Sequence, residues 1–167
     1  MGYDLIGDIH GEAPTLKALL QKLGYSETTS GFSHDKGRTA IFVGDLVDRG
    51  LWQREVISIV RKMVEAGNAI CVMGNHEFNA IAYGTIGLNG QPLREHSPKN
   101  VKQHKEFVDA YSDSESDYRE TLEWLKTLPL WVELPGLRVI HACWDQKEVD
   151  LLKSKHKGPV LTDALLL

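Results

Sequence analysis

The stretch Thr39-Ala40-Ile41-Phe42-Val43-Gly44-Asp45-Leu46-Val47-Asp48-Arg49-Gly50 decides the fold. Residues 39–43 read as a buried strand, and Gly44 ends it just before a carboxylate. The same arrangement occurs twice more. Residues 3–7 run into Asp8-Ile9-His10-Gly11, and residues 69–73 run into Gly74-Asn75-His76-Glu77. A fourth apolar run, 137–140, ends at His141. Strands alternating with helical stretches predict an α/β fold around a parallel sheet. Parallel strands end side by side, so the polar residues beyond them gather in one crevice. The expected crevice holds carboxylates, an amide and imidazoles, with an acid–arginine pair beside them. That set binds divalent metals and a phosphate.

The segments between the strands fit this pattern. Pro14 opens a helix with Leu16, Leu19, Leu20 and Leu23 on one face, and Gly24 stops it. Residues 25–38 form a polar excursion, either a hairpin or a loop. Residues 52–65 read as a helix with Val56, Ile59, Val60, Met63 and Val64 apolar, closed by Gly67-Asn68. A short helix is expected over 77–83, and a loop over 84–99, which is rich in Gly, Pro, Asn and Ser. Two further helices, 100–111 and 116–127, stop before Pro129. Residues 130–134 and 137–140 pair around Pro135-Gly136. The final run, 160–167, is apolar with no capping residue after it and reads as one interrupted element. One catalytic domain over 1–167, incomplete at its C-terminus, is the expected organisation.

Composition narrows the function. The chain has 167 residues, enough for one domain with a real core, and its 42% hydrophobic content is that of a globular protein. A net charge of −4 gives no basic field for nucleic acid or an anionic membrane. No apolar run approaches the roughly 18 residues of a membrane span. The first strand starts so close to Met1 that no signal peptide is read. Cys71 and Cys143 make no disulfide framework, and a reducing cytoplasm is expected.

Asp8 and His10 lie one residue apart in extended chain, where i and i+2 share a side, so both can face one ion. Asn75 offers a neutral oxygen suited to a divalent cation. His76, its neighbour, points elsewhere and is free to face substrate. Asp48 can orient His76 and hold it protonated, the arrangement of a general acid. The planar fork of Arg49 suits phosphate oxygens. Each residue has an ordinary reading when taken alone: a helix cap, a surface ion pair, a packed histidine. Four such features at four strand ends are not explained that way.

In these motifs the chain resembles the calcineurin-like metallophosphoesterases, and among them the bacterial relatives of serine/threonine phosphoprotein phosphatases. The series Asp-x-His-Gly, Gly-Asp-x-x-Asp-Arg-Gly and Gly-Asn-His-Glu, about 30 residues apart, carries the resemblance over residues 4 to about 145. It implies a four-layered α/β sandwich with metals at the C-terminal ends of the strands. It further implies that Asp8, His10 and Asp45 hold a first metal, and that Asp45 bridges to a second metal held by Asn75 and His141. His76 would be the general acid, Asp48 its partner and Arg49 a phosphate ligand. The implied reaction is phosphate-ester hydrolysis by a hydroxide bridging two divalent metals (Mn, Fe or Zn). The candidate substrates are a phosphorylated small molecule, a nucleotide or a phosphoprotein. A dinucleoside polyphosphate hydrolase with the same centre is the alternative, as is an inactive metal-binding module. Met73 stands where the eukaryotic phosphoprotein phosphatases usually carry Arg. The family's further Gly-His motif has no counterpart, because the last histidine, His156, lacks the preceding Gly and strand. An incomplete second metal site and weak activity are therefore expected.

Overall fold

The computed structural model describes residues 2–156 and 158–167. In chain order its elements are β1 (Tyr3–Ile6), α1 (Ala13–Lys22), β2 (Tyr25–Thr28), β3 (Gly31–His34), β4 (Thr39–Phe42), α2 (Gln53–Glu65) and β5 (Ala69–Cys71). There follow α3 (Asn75–Gly84), α4 (Pro98–Ala110), α5 (Glu115–Lys126), β6 (Trp131–Leu134), β7 (Leu137–Ile140), α6 (Gln146–Lys155) and α7 (Asp163–Leu166). The parallel sheet has the order β1-β4-β5, with Ile6 opposite Phe42 and Phe42 opposite Cys71. All three strands therefore end at one edge.

Alternation along the strands builds the layers. Ala40 and Phe42 of β4 face the larger core with Leu16 and Leu20 of α1 and Val56, Val60 and Met63 of α2. Ile41 points the other way, onto Val139, with Val132, Leu134 and Leu137 packed around it. The β6–β7 hairpin thus covers the second face of the sheet with these residues. Its outward side, Glu133 and Arg138, meets α6 through Lys153–Glu133 at 2.6 Å and Arg138–Gln146 at 3.3 Å. Helices, sheet, hairpin and α6 make the four layers of the expected sandwich. Burying a side chain the size of Phe42 or Ile41 contributes about 1.5–3 kcal/mol, which is what holds the layers together.

Three expectations are corrected. His141 does not end a strand of the parallel sheet, because β7 pairs antiparallel with β6 in a sheet of its own. Of the two alternatives expected for residues 25–38, the structure has the hairpin, β2–β3 antiparallel, its turn closed by Gly31 at φ +83°. Residues 160–167 are not one element. Val160 bridges to Pro129, and α7 starts only after Thr162, with Leu161 and Leu166 packed on the larger core. The short helix over 77–83 begins two residues earlier, so Gly74 is its N-cap and Asn75 lies in its first turn.

Candidate metal centre

Backbone conformation marks the site. Among the described residues the non-glycine positions with positive φ are His10 (+47°), Asp45 (+54°), Asp48 (+69°) and Arg49 (+68°). L-residues adopt this region at a cost, and such strain gathers at functional sites. The loops are laced together. His10 N–H and Ile9 N–H both donate to Asp45 O, at 2.9 and 3.0 Å, and Gly50 N–H donates to His10 O at 2.8 Å. Gly74 is required here, since a Cβ on it would collide with the Asp45 backbone nitrogen.

Glu77 is the brace beneath the loops. It is fully buried, and its carboxylate accepts from Asp45 N at 2.8 Å, Leu46 N at 2.7 Å, Val47 N at 3.2 Å and Gly74 N at 2.9 Å. Burial raises its carboxyl above the ordinary range, against the donors that favour the charged form. We expect Glu77→Gln to keep the shape but lose acceptor capacity for part of this set. At about 1–3 kcal/mol per buried group left unpaired, the loss should be ~2–4 kcal/mol, read by denaturant unfolding. A variant within about 0.5 kcal/mol of wild type, the range of an ordinary surface change, would remove Glu77 from this role.

The imidazoles are aimed by backbone carbonyls. His10 Nδ1 lies 2.9 Å from Val47 O, and His141 Nδ1 lies 2.7 Å from Val43 O. Donation from each Nδ1–H leaves an Nε2 lone pair directed into the crevice. His10 Nε2 is buried without a hydrogen-bond partner and sits 3.7 Å from both Asp8 Oδ2 and Asp45 Oδ2. His141 Nε2 lies 3.5 Å from Asp45 Oδ1 and 3.0 Å from Asn75 Oδ1. The donor atoms of Asp8, Asp45 and His141 lie within 4.8 Å of one another, as do those of His10, Asp45 and His76. An orphaned buried nitrogen, preset tautomers and a central carboxylate fit a divalent cation. β7 brings His141 here because the stacked hairpin ends over the end of β4, not because its strand joins the parallel sheet.

His76 is held differently. Its Nδ1 donates to Asp48 Oδ2 at 2.6 Å, and its Nε2 lies 4.0 Å from Asp45 Oδ2. The hydrogen bond to Asp48 is the chief cause raising the imidazole above its ordinary pKa. Burial works to raise the Asp48 carboxyl, but hydrogen bonds from His104 and His76 hold it below the usual carboxylate value. His104 was not singled out by the sequence. It is 1% exposed, and its Nδ1 lies 3.1 Å from Asp48 Oδ1. Gln53, fully buried, accepts from Asp48 N–H at 2.9 Å and donates to Gly50 O at 2.6 Å. Arg49 is exposed, with no ion pair among the described residues, and lines a cavity of about 750 Å³ beside His76 and Asn75. His156 caps α6 and belongs to neither donor group. Trp144 is occupied locally, with Arg138 5.1 Å over its ring and Nε1 3.1 Å from Gln146 Oε1. Cys71 is buried as a core hydrophobe, and Cys143 is an exposed free thiol.

This donor set suits a divalent metal centre. Residues 2–159 match the calcineurin-like phosphoesterase family, and the chain belongs to it. A bis(5'-nucleosyl)-tetraphosphatase PrpE of a Geobacillus species is 46% identical over 143 residues, 85% of this chain and 56% of that protein. The enzyme of the same description from Bacillus subtilis is 42% identical over 94 residues, 56% of this chain and 37% of its own length. The chain thus spans from about a third to about half of these relatives. Among solved structures, a metallophosphoesterase of Sphaerobacter thermophilus superposes with a TM-score of 0.53 at 23% identity, covering 83% of this chain and 45% of the other. A cold-active protein-tyrosine phosphatase of a psychrophilic Shewanella gives a TM-score of 0.55 at 18% identity, over 89% and 44%. Both show the shared fold.

Proposed function

We propose that this site hydrolyses phosphate esters and anhydrides with divalent metals, and that its substrate class is a dinucleoside polyphosphate. The observation that carries the chemistry is the pair of imidazoles, His10 and His141, each turned toward Asp45 by a carbonyl on its Nδ1. Asp8, His10 and Asp45 would hold one cation; Asn75 and His141 would share Asp45 with a second. Mn²⁺ suits this mixture of oxygen and nitrogen donors. When bound, such ions take up phosphoryl charge and lower the pKa of a coordinated water. The chain's own residues supply the rest. Arg49 binds phosphoryl oxygens, Asp48 fixes the ring of His76, and His76 gives a proton from Nε2 to the leaving oxygen. The dinucleotide reading is supported by the Geobacillus and Bacillus relatives, which are bis(5'-nucleosyl)-tetraphosphatases, and Met73 weighs against a phosphoprotein.

In this reading residues 1–167 belong to one catalytic domain in a reducing cytoplasm. Among the described residues no helix is long and apolar enough to cross a membrane.

Thermal unfolding tests the metal sites, and substrate comparison tests the class. Chelator should lower the melting temperature and Mn²⁺ restore it. At a hundredfold excess over Kd the stabilisation is about 2.7 kcal/mol, or roughly 5–10 °C for a chain of this size. A curve unmoved by both would mean that the sites do not form. Faster turnover of a phosphopeptide than of diadenosine tetraphosphate would overturn the substrate class.

A further inference from the structure

Helix α4 carries two unlike faces. Its inner face is His104 and Phe107, fully or almost fully buried, with His104 against Asp48. Its outer stripe is Lys99, Lys102, Gln103 and Glu106, at i, i+3, i+4 and i+7. That stripe walls the cavity of about 750 Å³ whose other side is Arg49, Asn75 and His76. The cavity is lined by four cations (Arg49, Lys99, Lys102 and Lys105) and one carboxylate (Glu106), in a chain whose net charge is −4. Lys105 is already paired with Asp109. Lys99, Lys102 and Arg49 have no ion pair among the described residues. The wall itself is fixed. Arg94 donates to Asn79 of α3 at 2.7 Å and to Gln103 of α4 at 3.0 Å, tying together two lining residues from the two helices.

We infer that Lys99 and Lys102 of α4, with Arg49, cradle the phosphates of a linear polyphosphate chain beyond the one that reacts beside His76. This rests on the phosphohydrolase reading above and names the part of the site that selects the substrate. A single phosphoryl group needs one guanidinium and the metals, and it would leave most of this volume and both lysines unused. Lysines three residues apart on a helix start about 4.5 Å apart along its axis, a spacing at which two flexible ammonium groups reach successive phosphates of one chain. The low-dielectric wall beneath them concentrates their field at the mouth of the site. A dinucleotide, a nucleoside triphosphate and inorganic polyphosphate share this chemistry.

The test is calorimetric binding of tripolyphosphate and of orthophosphate, each with excess Mg²⁺, to the 167-residue chain. Lys99→Gln/Lys102→Gln should weaken tripolyphosphate roughly tenfold or more, and orthophosphate less than twofold. A control double variant, Lys22→Gln/Lys36→Gln, removes the same charge from exposed positions elsewhere. It should leave both ligands within twofold of wild type. Diadenosine tetraphosphate enters as a competitor. Its displacing tripolyphosphate at lower concentration assigns the cradle to a nucleoside-capped chain, and the reverse assigns it to a free one. Tripolyphosphate binding unchanged in the α4 variant, absent in wild type, or weakened equally in the control would overturn the inference. Failure of the hydrolase reading looks different: no phosphate ester or anhydride turned over, with tripolyphosphate binding still dependent on the lysines.

Discussion

His76→Gln should cut turnover of phenyl phosphate by roughly 10²–10⁴-fold, the usual range for loss of a general acid. It should cut turnover of p-nitrophenyl phosphate far less. Phenolate is a poor leaving group and needs the proton, whereas p-nitrophenolate departs nearly unaided. The geometry behind this is the 2.6 Å bond from Nδ1 to Asp48, which leaves Nε2 as the acidic position facing the crevice. Nε2 also lies within 4.0 Å of Asp45 Oδ2, so a ligand role must be separated from an acid role. Metal analysis does this: metal per chain should be unchanged in His76→Gln. Equal losses with both esters, or a halved metal content, would remove His76 from the acid role. The same hydrogen bond sets the pH dependence. Because Asp48 raises the imidazole pKa, the acid form persists above its ordinary value near 6.5, and the rate should fall only beyond it on the alkaline side. Asp48→Asn removes that cause, so the alkaline fall should move to lower pH.

How much of this could be read in the chain differs from residue to residue. Asp8, His10, Asp45, Asn75 and His76 are legible because each sits within three residues of the end of an apolar run, 3–7, 39–43 or 69–73. Strand and helix periodicities place those ends without knowledge of the rest of the fold. The carbonyls that aim His10 and His141 are not legible, since any residue has one. His104 escaped because 56 residues separate it from Asp48, and on α4 it occupies the apolar stripe where a histidine reads as core. Glu77 lies in the Gly-Asn-His-Glu motif, yet its role follows only from three backbone N–H groups arriving from a loop some 30 residues away, beside the N–H of its own helix cap, Gly74. The hairpin β6–β7 was visible in Pro135-Gly136, but its stacking on the sheet was not. Alternating apolar residues show that a strand has a buried face without showing what covers it.

Asp45→Asn should abolish the Mn²⁺-dependent rise in melting temperature and reduce hydrolysis to background. Asp45 is the one carboxylate shared by both donor sets, 3.7 Å from His10 Nε2 through Oδ2 and 3.5 Å from His141 Nε2 through Oδ1. Asn is the substitution to choose. The residue sits at φ +54°, where Asn is tolerated far better than Ala, and its oxygen can still accept the His76 N–H that Asp45 Oδ1 accepts at 3.0 Å. What is lost is the charge. Without it, two neutral imidazoles, the exposed Asp8 and the amide of Asn75 remain to hold doubly charged ions, and a water held there loses the activation that two cations give it. The unfolding midpoint without metal tells a local change from a global one. It should lie within a few degrees of wild type, because the Glu77 brace under the loop is untouched. An Asp45→Asn protein that still gains roughly 5–10 °C from saturating Mn²⁺ would show that the ions are held by other residues. The crevice at the strand ends would then not be the metal centre.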